Sequence, residues 1–165
     1  MDKPVKTMLA LTLTLLVALA GAAQAKPPAK RATGVDAEFK KMIEEYYVAW
    51  SQLNTDTPAK YYAKDADLVF YDIAPMKYNS WKEYHDGVQK NFFDMATSAT
   101  LTPNMNDLKV TRRGDVAWTT LTFHMTIKLK AGGTTEVDAR HTAIWERRGG
   151  QWLIVHEHVS VPLPG

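Results

Sequence analysis

The last third of the chain alternates apolar and polar side chains almost without a break, and this period-two run limits the possible fold more than any other feature of the 165 residues. Three long segments, 116–129, 135–147 and 151–162, are separated by Gly132-Gly133 and Gly149-Gly150. Alternation over such lengths marks strands with one covered face, and paired glycines supply the positive-φ residues of tight hairpins. An antiparallel meander is expected there. A strand over 101–110 precedes it, and Pro103 places that strand at a sheet edge, because proline cannot donate to a ladder.

Upstream the period is near 3.6. Asp36 is placed to cap a first helix, with Phe39, Met42, Ile43, Tyr46, Tyr47, Trp50 and Leu53 as its apolar stripe. Thr57-Pro58 reads as cap and first position of a short second helix running through Ala63. A strand follows over 68–73, broken by Ala74-Pro75, and 76–78 reads as a short return strand. Ser80 and Glu83 form a capping box that opens a third helix, with Trp81, Tyr84, Val88, Phe92 and Met95 along one side. Helices first and a meander after is an α+β pattern.

Residues 1–25 carry the three-part plan of a secretory signal: Lys3 and Lys6, an apolar run over 8–20, and Ala23-Gln24-Ala25 at the cleavage position. The run is shorter than the roughly 20 apolar residues that cross a bilayer. A periplasmic or secreted protein is expected, with no membrane attachment after cleavage. Residues 26–34, basic and proline-rich, read as a flexible leader, and 35–165 as one domain. The net charge of +2 gives no pull toward nucleic acid. Without cysteine there is neither a disulfide nor a thiolate site.

Parity sorts the faces of the meander. Odd positions, from Ala117 to Leu129, Val137 to Trp145 and Leu153 to Val161, are nearly all apolar and make the covered face. His141 and Glu157 interrupt it, and a lone buried carboxylate needs a partner, a proton or water. A three-residue loop, Arg148-Gly149-Gly150, would pair Arg147 with Gln151 and set His141 opposite Glu157. Two readings stay open: a satisfied core contact, or an acid–base unit in a cavity. The even face is polar with scattered large apolar side chains (Trp118, Ile144, Trp152) and is the expected surface of a homodimer.

Residues 144–162, IWERRGGQWLIVHEHVSVP, resemble the C-terminal strands of SnoaL-like proteins and of the association domain of calcium/calmodulin-dependent protein kinase. Gly114 to Trp118 and the first helix fit the same pattern, so the resemblance covers about 36–162. It implies a cone-shaped fold of the nuclear-transport-factor-2-like class, with three N-terminal helices packed on a strongly curved, mostly antiparallel sheet around a pocket. Phe123, Ala143 and Val159 stand where the kinase domain carries pocket arginines. More distantly, the chain resembles ketosteroid isomerases. That likeness implies Tyr47 as an oxyanion donor and Asp72 as a base. The expected pocket is lined by Tyr47, Trp50, Phe70, Phe92, Phe123 and Trp145 and holds a small hydrophobic molecule. Glu157 or Asp72 would abstract a proton, with His141 as shuttle, without metal or cofactor. The alternative is a non-catalytic dimerising domain.

Overall fold

The computed structural model describes residues 37–163. The expected signal peptide, leader and Asp36 cap lie outside them. Helix α1 (Ala37–Trp50) buries Phe39, Ile43, Tyr46, Tyr47 and Trp50 at the spacing of one helical face. A 3₁₀ turn (Pro58–Tyr61) leads to strand β1 (Val69–Tyr71) and helix α2 (Trp81–Asn91). A second 3₁₀ turn (Phe93–Met95) precedes β2 (Ala96–Pro103), β3 (Lys109–Arg113), β4 (Val116–Leu129), β5 (Thr134–Arg148) and β6 (Gln151–Ser160).

Among the described residues two helices, not three, cover the sheet. The expected second helix is the 3₁₀ turn, which ends before Tyr62 turns to an extended conformation. That extension makes a parallel bridge to Ile154 and lets the Ala63 amide donate to the Ile154 carbonyl at 3.0 Å. A backbone bond to the sheet thus outweighs the weak helix propensity of PAKYYA. The expected strand over 101–110 is two strands. The chain turns at 104–107, and both β2 and β3 pair with successive parts of β4. Pro103 does end β2 at a sheet edge.

The sheet runs β1-β6-β5-β4-β2, curled and unclosed, with β1 parallel to β6 and the other pairs antiparallel. Ser80 caps α2 by accepting from the Glu83 amide at 3.1 Å, while Glu83 reaches back one residue further than a full box, to the Asn79 amide. On α2, Gly87 leaves room for the ring of Tyr78, since a Cβ there would lie 2.3 Å from it.

On β4 and β5 the odd side chains point inward: Ala117, Leu121, Phe123, Ala139, His141, Ala143 and Trp145 are buried. Thr119 is satisfied by Trp145, whose Nε1 donates to its hydroxyl at 3.0 Å. On β6 one parity does not hold throughout. The β5–β6 turn has two residues, Gly149 and Gly150, both at positive φ, and Arg148 pairs with Gln151. The register then runs to Trp145 opposite Ile154 and shifts at Val155, so that Ile144 meets His156. Val155 is a bulge residue. Before it, the even side chains Trp152 and Ile154 are buried. Beyond it, the odd ones, Glu157 and Val159, are buried. The assignment of Leu153 and Val155 to the covered face is therefore corrected. So is the register: Glu157 stands opposite Ala143, and His141 opposite Val159.

Candidate active site

His141 and Glu157 still meet, as diagonal neighbours on the inner face, where long side chains remain in reach. Both are buried, and Nε2 of His141 lies 3.7 Å from Oε2 of Glu157. That is ion-pair distance, but too long for a hydrogen bond.

The hydrogen bonds to Glu157 come from the helical layer instead. Tyr62 donates to Oε2 at 2.6 Å, Tyr46 to the same oxygen at 3.0 Å, and Tyr84 to Oε1 at 2.8 Å. The hydroxyls of Tyr46 and Tyr62 are also 2.8 Å apart. Tyr46 comes from α1, Tyr84 from α2, and Tyr62 from the extended segment bound to β6. Three covering pieces thus converge on one carboxylate.

Burial, the largest influence on Glu157, opposes its ionisation. The charge of His141 and the phenol bonds outweigh it, and the carboxyl sits below its ordinary range. Burial, and then the charge of Glu157, push the phenols of Tyr46, Tyr62 and Tyr84 well above theirs. The phenols therefore remain donors and the carboxylate an acceptor.

Tyr47, next to Tyr46 on α1, takes the other side of His141, with its hydroxyl 2.8 Å from Nδ1. Burial raises this phenol as well, followed by the charge of Glu157, so it stays protonated. When the phenol donates to Nδ1, a neutral ring carries its hydrogen on Nε2. When the ring is cationic, both nitrogens carry one. Nε2 is buried without a hydrogen-bond partner. Leaving such a donor unpaired costs about 1–3 kcal/mol, a cost that a bound acceptor would relieve.

All of these groups except Tyr62 line a cavity of about 70 Å³. Of the expected lining, Tyr47, Trp50, Phe92 and Phe123 are on its wall, together with Asp72, His141 and Glu157. Phe70 and Trp145 are not. Phe70 stacks on Tyr84 at 5.2 Å, and Trp145 packs edge-on against Phe39 at 5.7 Å, both fully buried in the core behind the wall. Strand β1 is short and its ring turns toward α2. Trp145 lies at the end of β5 where α1 closes on the sheet.

Asp72 follows β1 and is half-buried, with Oδ1 accepting from the Ile73 amide at 2.7 Å. Burial pushes its carboxyl up to about 7, Glu157 adding to the rise, while the Ile73 amide and His141 pull the other way. Asp72, Ile73 and Val159 also border a surface groove with Met76 and Lys77, so the cavity meets solvent at this corner.

Sequence reasoning found Glu157 and His141 but missed their phenol partners. The signal for two of them was present. Tyr46 and Tyr84 fall on the apolar stripes of their helices, and phenols are the polar groups those stripes bring to a buried carboxylate. Tyr62 had no such signal, because its position depends on the bridge to Ile154.

Solved structures share this architecture. A nuclear transport factor 2-like superfamily protein from Salmonella enterica serovar Typhimurium superposes with a TM-score of 0.66 at 18% identity, over 77% of this chain and 90% of that one. A candidate calcium/calmodulin-dependent protein kinase II association domain from Xanthomonas campestris gives 0.66 at 23%, over 79% and 90%. A candidate dehydratase of the NTF2-like family from Streptomyces avermitilis gives 0.63 at 15%, over 77% and 94%. These define the class as the NTF2-like α+β fold. Within it, the SnoaL-like domain model matches residues 40–164, and the chain belongs to that family. Proteins of curated function gave no match.

Proposed function

We propose that this protein binds a small hydrophobic molecule in its cavity and moves a proton on it without metal or cofactor, using Asp72 as base and His141 as hydrogen-bond donor. The observation that carries this reading is the unpartnered Nε2 of His141, buried on the same cavity wall as a carboxyl whose pKa is close to neutrality. A base works best when its pKa lies near the working pH. Glu157, by contrast, is held low and occupied by phenols, so the base role moves from Glu157 to Asp72. The step balances simply. The ionised Asp72 takes a hydrogen as a proton from carbon next to a carbonyl, the electron pair moves to the carbonyl oxygen, and that oxygen accepts from Nε2–H. Tyr47 holds the ring by its other nitrogen. The likeness to a candidate dehydratase fits chemistry of this kind but rests on the fold alone.

The test is exchange of α-hydrogens for deuterium in small cyclic ketones, followed by proton NMR in heavy water. The expected result is accelerated exchange that falls about 100-fold or more in Asp72→Asn. Ketones that bind measurably but exchange no faster than in buffer would overturn the catalytic reading.

One observation favours a non-catalytic second reading. The cavity is less than half the roughly 150 Å³ that holds benzene in an engineered protein. In that reading the domain binds or assembles without chemistry. In either case we propose that it works after export and pairs with a second copy through the outer sheet face, where Trp118 is 38% exposed. Light scattering should give a dimer, and Trp118→Glu a monomer.

A further inference from the structure

We propose that Tyr46, Tyr62 and Tyr84 are positioning residues. They pin the Glu157 carboxylate where its charge faces the Nε2 hydrogen of His141 without bonding it, so that this hydrogen stays on Nε2 and free for a ligand oxygen.

The argument is a count of hydrogens and distances. Each phenol has one hydrogen to give. Tyr62 spends its own on Oε2 at 2.6 Å and Tyr84 on Oε1 at 2.8 Å. Tyr46 reaches both Oε2, at 3.0 Å, and the Tyr62 oxygen, at 2.8 Å. Both carboxylate oxygens are thus tethered away from His141 by donors on α1, α2 and the extended segment at Tyr62, each at the end of a rigid ring. Held this way, Oε2 stops 3.7 Å from Nε2 of His141. An untethered carboxylate would close the remaining gap of under 1 Å and take the hydrogen into a charge-assisted bond. The donor would then be spent inside the protein.

The ring itself is not free to retreat. Tyr47 holds Nδ1 at 2.8 Å, and the ring of Tyr46 stacks on the imidazole at 5.6 Å, nearly parallel. Glu157 favours a hydrogen on the nitrogen that faces it, and Tyr47 favours a bare Nδ1 in the neutral ring. The two influences select the same tautomer. A cage that served only to satisfy a buried carboxylate would not need to leave the nearby Nε2 donor of His141 just beyond bonding distance.

The use of this device in catalysis rests on the acid–base reading above, but its existence does not. The test is therefore made on the ligand-free, full-length protein. Ring nitrogen shifts of His141 are read by NMR through its carbon-bound hydrogens at pH 8. The wild type should carry hydrogen on Nε2 and a bare Nδ1. In Tyr62→Phe and in Tyr84→Phe the loosened carboxylate should approach, moving the Nε2 signal toward that of a strongly bonded donor. In Glu157→Gln it should move the opposite way.

A bare Nε2 in the wild type would overturn the proposal. So would an unmoved Nε2 signal in both phenylalanine variants, with near-ultraviolet circular dichroism showing each folded. Two variants keep the test decisive if one fails to fold. Ketone exchange measured on the same samples separates the two readings. A His141 spectrum that responds as expected, without any exchange, defeats only the catalytic reading. Exchange that persists with an unmoved spectrum defeats only the cage.

Discussion

The inner face of the sheet has a dry end and a polar end, and a single extra residue in β6 separates them. At the dry end, beside the β5–β6 turn, Phe39, Trp145 and Trp152 pack ring against ring with centroids 5.1 and 5.7 Å apart. At the polar end, beyond Val155, the same face presents Glu157 to three phenols and His141. Both ends are buried and built from the same three strands. What differs is the parity of β6. Without the bulge, the even series that buries Trp152 and Ile154 would continue to His156 and His158, and Glu157 would face outward. A bulge that re-aims side chains next to a site is a recurrent device in sheets. Here it decides whether the cavity wall carries a carboxylate or imidazoles.

The largest effect that would sharpen this contrast belongs to the dry end. Trp145→Ala should destabilise the fold by about 3–5 kcal/mol in chemical denaturation, because it opens a void in a packed aromatic cluster. The cavity wall and ligand affinity should be preserved in the folded fraction. At the polar end, Glu157→Gln should cost less, about 2–3 kcal/mol at pH 7, since the amide still accepts some phenol bonds but loses their charge assistance. If Glu157→Gln instead proves neutral, the polar end is a packed core like the other, and the comparison fails.

The third prediction concerns pH and has two arms of opposite sign. Asp72 is an acid whose folded value is raised, from 3.8 to about 7. Its contribution to stability is present below 3.8 and declines as pH rises through about 7. Asp72→Asn should abolish that decline, and at pH 8 the variant should exceed the wild type by about 2 kcal/mol, a figure reduced for partial exposure. Glu157 is the reverse, an acid whose folded value is depressed. Its contribution is present above 4.5 and is lost as pH falls through the depressed value, so Glu157→Gln should lose that acid sensitivity. Denaturation midpoints from pH 3 to 8 would separate the arms. The smallest effect is expected for Tyr84→Phe, at about 1–2 kcal/mol, because it removes one charge-assisted bond and leaves the ring in place.

The sequence was most legible where one rule sufficed. Alternation located β4, β5 and β6, and parity assigned the faces of β4 and β5 correctly. The stripe of α1 and the Ser80 cap were readable for the same reason: the determinants lie within a few residues. Legibility failed where a distant partner decided the outcome. Thr57 to Ala63 has no local feature that selects an extended Tyr62 over another helical turn; the bridge to Ile154 does. The bulge at Val155 is equally silent, because valine in a strand of alternating residues gives no sign of being the extra one.

Two errors met at the β5–β6 hairpin. The sequence predicts a three-residue loop where the turn has two residues, and nothing local marks the bulge. Together they kept His141 and Glu157 on one face while shifting their register by two. The pair was recovered because diagonal neighbours on a face are still within reach. The cavity lining was readable in part for a similar reason. Stripe positions such as Trp50 and parity positions such as Phe123 follow from local pattern. That Phe70 and Trp145 stand behind the wall depends on which way each ring leans.

The most direct test of the inversion across Val155 uses the absence of native cysteine. Single cysteines are introduced as Ile154→Cys, Glu157→Cys, His158→Cys and Val159→Cys, and their labelling rates with a thiol reagent are compared in the folded protein. The structure predicts protection at 154, 157 and 159 and rapid labelling at 158, a change of protected parity within six residues. Protection at 154 and 158 with rapid labelling at 157 and 159 would mean that β6 runs without a bulge, that Glu157 faces solvent, and that the site described here does not exist.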